Sequence, residues 1–195
     1  MSGCSNTNWR RASRKRPLRL RPGFAILAKQ MANAIRILGL DPGLRRTGWG
    51  VVAVEGSRLV HIAHGVIAPK ETMAFSDRLL FLFESVGAVI AEHAPHEAAI
   101  EETFMTANGS STLKLGHARA CALIAPARAG LLVAEYAAKE VKKAVVGTGA
   151  ADKDQVAFMI ARLLPAAGGP TQDAADALAV AITHAHARTV RRAVA

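Results

Sequence analysis

The stretch that decides the fold is residues 37–52, ILGLDPGLRRTGWGVV. It contains two short apolar runs on either side of an Asp-Pro-Gly turn, and a third run follows a Glu-Gly-Ser turn at residues 55–57. Turns this short join neighbouring antiparallel strands. The sequence therefore predicts three antiparallel strands, over residues 35–40, 47–54 and 58–67.

Helical and strand-like patterns alternate along the rest of the chain. Helical periodicity predicts helices over residues 76–92, 111–125, 137–145, 153–164 and 171–188, and short apolar runs predict strands over 98–101 and 131–136. Three antiparallel strands followed by this alternation are typical of an α/β layer fold. We expect a mixed five-stranded sheet with helices on both faces, in the element order of ribonuclease-H-like proteins.

Composition limits the class of protein. Of the 195 residues 51% are apolar, which is enough for one full hydrophobic core. The longest apolar stretch, residues 120–133, contains a proline, an arginine and a glycine, so we expect no membrane span and no membrane partner. Neither Cys4 nor Cys121 belongs to a cluster that would hold zinc or an iron–sulfur centre. We expect a cytoplasmic protein.

The net charge of +10 is unevenly distributed along the chain. Residues 1–30 hold eight of the 25 basic residues and no acidic one, and the remainder holds 17 basic and 15 acidic residues. We interpret residues 1–30 as a basic disordered tail or as residues upstream of a true start at Met31. One domain is expected over 31–190, followed by a flexible C-terminus over 191–195. The net charge therefore does not by itself predict nucleic-acid binding, and only particular cations near an acidic site can indicate it.

Four carboxylates occur where the predicted fold brings distant segments together. Asp41 and Glu101 each close an apolar strand, and they emerge side by side if those two strands are parallel neighbours. Asp173 and Asp176 are three residues apart on one helix and point the same way. Ligand sets made of oxygen atoms select Mg²⁺ or Mn²⁺, and two such ions about 3.5 to 4 Å apart can hydrolyse a phosphodiester. The acids predict a two-metal nuclease.

Each acid taken alone also has an ordinary structural interpretation. Asp41 before Pro-Gly can initiate a turn, and Asp173 can complement the helix dipole. Glu101 and Asp176 are harder to explain in this way, because each lies in an otherwise apolar element. His184 follows Asp176 on nearly the same helical face, and we interpret it as an ordinary helix-end histidine rather than a metal ligand. The prediction therefore depends on the joint arrangement of the acids.

Five segments resemble one known family. They are residues 37–52, AIEETFM at 99–105, LKLGHARA at 113–120, EYAAKEVKKAVVGTGAADKDQV at 135–156 and DAADALAVAITHAH at 173–186. In order and separation they resemble the RuvC family of Holliday junction resolvases, over about residues 35–188.

This resemblance implies a ribonuclease-H-like fold, a homodimer, and symmetric paired nicks in a four-way DNA junction during recombination and repair. It implies that Asp41, Glu101, Asp173 and Asp176 are the catalytic metal ligands of two Mg²⁺ ions, for which Mn²⁺ can substitute. It also implies the branch-migration proteins RuvA and RuvB as partners.

A polar loop directly after Glu101 carries two apolar side chains, Phe104 and Met105. Apolar side chains in such a loop can unstack bases, although packing of the loop against the core is the alternative. The resemblance favours junction recognition, because the family uses the phenylalanine that matches Phe104 for this purpose.

Three lysines are candidates for phosphate contacts, because Lys142, Lys143 and Lys153 flank the VVGTG segment at residues 145–149. A lysine at a helix start is unfavourable for the helix dipole, which indicates another role for Lys153. The resemblance implies that Lys142 and Lys153 lie near the active site and contact DNA. The roles of Lys114 and Arg119 stay open.

Three other functions fit parts of the sequence. A YqgF-type nuclease shares the glycine-rich strand turn, but the acidic helix and the loop at 103–105 argue against it. An actin-like ATPase needs two lobes, for which the chain is too short. A junction-binding protein that has lost catalysis conflicts with four intact acids. Junction symmetry itself predicts a dimer, with residues 111–125 as a candidate interface.

Overall fold

A mixed five-stranded sheet forms the centre of the fold. The computed structural model describes residues 34–102 and 108–194, so the expected tail over 1–30 lies outside the described residues. The strands are β1 Ile35–Asp41, β2 Thr47–Glu55, β3 Arg58–Ile67, β4 Glu97–Glu101 and β5 Leu132–Tyr136. Their order is β3-β2-β1-β4-β5. β2 is antiparallel to β1 and β3, whereas β4 is parallel to β1 and β5, which confirms the predicted sheet.

Within residues 34–102 and 108–194, five α-helices pack on the sheet. They are α1 Phe75–His93, α2 Gly109–Arg128, α3 Ala138–Val146, α4 Lys153–Leu163 and α5 Gln172–Val194. Asn108 caps α2 by accepting a hydrogen bond from the Ser111 amide, and Asp152 caps α4 in the same way. Within the described residues, none of these helices has the length and apolarity that a membrane crossing requires.

Two helices extend three or more residues beyond their predicted ends. The sequence predicts that one helix ends at residue 125, before Pro126, but α2 continues through Pro126 to Arg128. Proline lacks the amide donor, yet its carbonyl still accepts a hydrogen bond from the Leu131 amide at 3.0 Å and so closes the helix end. The last helix, predicted to end at Arg188, continues to Val194.

Alternating strand residues face two separate cores. Leu38 and Leu40 of β1 pack with α1 and α2, whereas Ile37 packs with α3, α4 and α5. In β4, Ile100 faces the first of these layers and Ala99 the second. Successive side chains of a strand point to opposite faces, so the last residues of β1 and β4 lie on the α5 side of the sheet.

Three glycines let α5 lie directly on the sheet. A β-carbon at Gly39 would overlap the backbone of α5 at Ala177, and one at Gly48 would overlap the carbonyl oxygen of Asp173. A β-carbon at Gly50 would lie 2.6 Å from the Leu178 side chain. The absence of side chains at these positions therefore allows the start of α5 to approach the end of β1.

Candidate active site

Three of the predicted acids line one cavity. Asp41, Glu101 and Asp176 surround a space of about 330 Å³ at the carboxyl ends of β1 and β4. Leu40 is paired with Ile100 in the parallel register of β1 and β4. The residues that follow them, Asp41 and Glu101, therefore lie side by side. Asp176 reaches the same space from the second turn of α5. The structure thus brings together side chains from three distant segments, as the sequence predicts.

Asp173 lies beside this cavity rather than in its lining. Its Oδ2 accepts a hydrogen bond from Nε of Arg46 at 2.5 Å. Its charge still raises the pKa of both Asp41 and Asp176. Arg46 belongs to the turn between β1 and β2, and sequence patterns alone did not identify it as a partner of Asp173. Its position five residues after Asp41 was the available signal.

Asp41 is the most strongly perturbed of the acids. Burial first, and then the negative charges of Glu101, Asp176 and Asp173, raise its pKa from 3.8 to about 7, although the charge of Lys153 acts in the opposite direction. Burial penalises the charged form, and like charges nearby penalise it again. Asp41 therefore exchanges its proton near neutral pH unless a cation offsets the surrounding charge.

Glu101 and Asp176 show the same effect, partly offset by two lysines. Burial and the charge of Asp176 raise the pKa of Glu101, and the charges of Lys142 and Lys153 lower it. The net result is a pKa of about 6. Burial also raises the pKa of Asp176. Both lysines line the acidic cavity, Lys142 from α3 and Lys153 from the first residue of α4. Two ammonium groups do not offset the charge of four carboxylates.

The chemistry of these side chains fits a hard divalent cation. The donor atoms are carboxylate oxygens, and burial and then the neighbouring negative charges raise the pKa values of Asp41 and Glu101, so a cation would stabilise their charged forms. No three acidic, histidine or cysteine side chains within residues 34–102 and 108–194 lie close enough together to hold an ion as they stand. An ion held by three of these side chains would therefore need the carboxylates to move closer together.

The other predicted binding residues have different locations. Lys143 is exposed on α3 and does not line the acidic cavity. Phe104 and Met105 lie outside the described residues, which omit 103–107. Their predicted roles stay predictions.

His184 belongs to a separate buried network. It is 8% exposed, its Nδ1 lies 2.9 Å from the Tyr136 hydroxyl, and its Nε2 lies 2.9 Å from a carboxylate oxygen of Glu97. Arg188 donates to both oxygens of the same carboxylate. Burial alone would raise the pKa of Glu97, but the hydrogen bonds from Arg188 and His184 lower it. Both ring nitrogens of His184 have partners, which fits a structural role rather than metal binding.

Comparison with known proteins places this arrangement in one family. The family model described as crossover junction endodeoxyribonuclease RuvC matches residues 37–184. The chain belongs to the RuvC family. The RuvC of Caulobacter vibrioides is 73% identical over 160 residues, which cover 82% of this chain and 95% of that protein. The RuvC of Maricaulis maris is 66% identical over 158 residues, which cover 81% and 95%.

Solved structures of RuvC and of another junction resolvase share the fold. The Thermus thermophilus RuvC in complex with a Holliday junction substrate is 33% identical, with a TM-score of 0.74 over 80% of this chain and 96% of that chain. The yeast mitochondrial Holliday junction resolvase Ydc2 is 14% identical, with a TM-score of 0.57 over 83% of this chain and 86% of that chain, which shows the fold alone. These matches confirm the predicted ribonuclease-H-like fold class.

Proposed function

We propose that this chain is a structure-specific endonuclease that resolves four-way DNA junctions by symmetric paired nicks in recombination and repair. The observation that carries the proposal is the convergence of Asp41, Glu101 and Asp176 in one cavity of a RuvC-family fold. A Holliday junction is the substrate in the Thermus thermophilus RuvC complex, which supports the choice of substrate. The nuclease domain is proposed to span 31–190, with 1–30 as a tail or an upstream segment and 191–195 as a flexible end.

The four acids are proposed to be catalytic and to hold two Mg²⁺ ions, with Mn²⁺ able to substitute. When bound, such ions activate water and stabilise the leaving oxygen of a phosphodiester. The carboxylates must be deprotonated to act as ligands, so Asp41 and Glu101, with pKa values of about 7 and 6, must lose their protons as the ions bind. Asp173 would offer its Oδ1 to an ion, because its Oδ2 is bonded to the guanidinium of Arg46.

The basic side chains are proposed to hold the DNA. Lys142 and Lys153 line the acidic cavity, so a phosphodiester bound by them lies beside the carboxylates. Lys143, exposed one residue further along α3, is proposed to contact the backbone outside this cavity. Phe104 and Met105 follow Glu101 in sequence and are proposed to contact unstacked bases at the junction centre.

Partners are proposed from symmetry and family membership. A homodimer presents two equivalent active sites to two equivalent strands. Helix α2, which carries the candidate interface, exposes two large apolar side chains, Leu113 and Ile124. RuvA and RuvB are the proposed partner proteins, Mg²⁺ is the proposed physiological ion, and the cytoplasm is the proposed location.

A junction-cleavage assay tests this function. The full chain is expected to introduce two symmetric nicks into a synthetic four-way junction in Mg²⁺ and to leave a linear duplex of the same sequence uncut. Asp176→Asn is expected to bind the junction but to cut at least about 100-fold more slowly, since it removes a charged ligand. The proposal fails if the wild-type chain leaves the junction intact in both Mg²⁺ and Mn²⁺. Binding without cutting would favour a catalytically inactive junction-binding protein.

A further inference from the structure

A second cavity, of about 530 Å³, is lined by cations. Arg45 and Arg46 line it from the turn between β1 and β2, Arg78 lines it from α1, and Ser111 and Lys114 line it from α2. No acidic side chain in the described part of the chain contributes to its lining. Its chemistry is therefore opposite to that of the acidic cavity, and it fits an anionic group.

The two cavities are neighbours at the same end of the sheet. Arg46 lines the cationic cavity, and its guanidinium is bonded to Asp173. Asp41 ends β1, and Gly43 and Leu44, which follow it directly, also line the cationic cavity. The bond between Arg46 and Asp173 therefore links the lining of the cationic cavity to an acid beside the acidic cavity.

The cationic cavity contains a buried donor without a partner. Nε of Arg78 is buried and has no hydrogen-bond partner among the described residues. Its Nη2 donates to the carbonyl oxygen of Leu44 at 2.9 Å, which fixes the guanidinium in place. Burial of an unpaired donor is costly, so an acceptor brought by a ligand would stabilise it. Arg78 is the fourth residue of α1.

The remaining cations are available to a ligand at low cost. Arg45 pairs only with Glu71 at 3.3 Å, and both side chains are more than two-thirds exposed, 80% and 71%. Exposed ion pairs of this kind contribute little to stability. Lys114 is exposed on α2 and its sequence pattern alone assigns it no role. Neither residue is needed to hold the fold together.

We propose that this cavity is a second phosphate site, which binds a backbone phosphate of the strand whose neighbouring phosphodiester is cut. The inference rests on the proposed function and extends it. A DNA strand that places one phosphate at the acids presents further phosphates at regular intervals, and arginine binds phosphate through paired hydrogen bonds. Arg45, Arg46, Arg78 and Lys114 are thus positioning residues that set which phosphodiester reaches the carboxylates.

Junction binding without divalent metal tests the site, because the junction then stays uncut. For the double variant Arg45→Gln/Lys114→Gln we expect roughly tenfold weaker binding of a four-way junction, and a slope of log affinity against log salt that is smaller by about 1 to 2. Fluorescence anisotropy at several salt concentrations measures both. The control is Arg58→Gln, because Arg58 is an exposed arginine at the start of β3. It lies opposite Glu55 in the β2–β3 register, at the other end of these strands from Asp41. Equal losses in the double variant and in Arg58→Gln would overturn the proposal.

A substrate with a single neutral linkage identifies the phosphate. Methylphosphonates are placed one at a time from one to four nucleotides on either side of the cut. One position is expected to weaken wild-type binding more than it weakens binding by the double variant, since the variant has already lost two of the four cations of the cavity. If every methylphosphonate weakens both proteins equally, the cavity binds no backbone phosphate. If the wild-type chain still cuts the junction normally in that case, the proposed nuclease function holds and only the second phosphate site is excluded.

Discussion

Asp41 ends a buried strand with three other carboxylates near it, and its proton is linked to the stability of the fold. Its pKa is about 7 in the folded protein against 3.8 for the unperturbed group. Between these two values the folded protein keeps a proton that the unfolded chain has lost. Without divalent metal, this group therefore favours folding below about pH 4, and that contribution is lost as the pH rises through about 7.

We predict that Asp41→Asn stabilises the metal-free protein at pH 8 by on the order of 2 kcal/mol, because it removes a buried charge from a cluster of like charges. Screening by solvent and salt keeps the gain in the free energy of unfolding below the value that the whole pKa shift would correspond to. At pH 4 the stabilisation should be largely absent. Urea unfolding in EDTA at both pH values measures the difference. A variant that is less stable than wild type at pH 8 would contradict the view that the acids repel one another.

At the scale of elements, the contact between α5 and the sheet determines where the last two acids lie. The side chains of Asp173 and Asp176 depend on how closely α5 approaches β1 and β2, and the glycines beneath the helix set that distance. The middle of α5 is fixed to β4 and β5 by the network of Tyr136, His184 and Glu97. The helix is thus held against the sheet both at its start and at its middle.

We predict that Gly48→Ala lowers junction cutting at least about tenfold and destabilises the fold by roughly 1 to 3 kcal/mol, since its β-carbon would overlap the Asp173 carbonyl and displace the start of α5. Single-turnover cutting and the melting temperature check the two effects. The matched control is Gly87→Ala in α1, where a β-carbon meets no atom within 4 Å. That substitution should leave cutting unchanged and stabilise α1 by about 0.5 to 1 kcal/mol. Equal effects of the two substitutions would exclude the proposed contact.

At the scale of the whole molecule, paired nicking requires two active sites that act on one junction. Leu113 and Ile124 are 67% and 56% exposed, and their spacing of eleven residues places them on one face of α2. An apolar face of this kind, on the helix predicted to form the interface, is suited to a second copy of the chain.

We predict that the full chain is a dimer at micromolar concentration and that Leu113→Glu/Ile124→Glu weakens dimerisation at least about tenfold, because it buries two charges in an apolar contact. Sedimentation equilibrium measures the mass. Phe158→Glu, an equally exposed apolar position on α4 in the opposite layer, is the control and should remain dimeric. A monomeric mass of the wild-type chain, with and without junction DNA, would rule out the homodimer.

The sequence by itself determined the elements and the identity of the acids. Strands and helices followed from short turns and apolar periodicity, which are local properties. Asp41 and Glu101 each end a strand, so the parallel pairing of β1 with β4 places them side by side. Most element boundaries were predicted to within two residues. The two larger errors are the helix ends at Pro126 and beyond Arg188, because tertiary packing and the carbonyl of proline extend a helix past its local stop signals.

Only the tertiary structure decided which distant side chains are partners. Arg46 and Asp173 are 127 residues apart, and no local pattern pairs them. The same holds for the cationic cavity, whose walls come from one turn and two helices, and for the burial of His184 beneath β4 and β5. Periodicity specifies the face on which a side chain lies. The distance between two faces depends on how closely the elements pack. Here the distance between α5 and the sheet is set by glycines of β1 and β2, whose role is visible only when α5 lies on them.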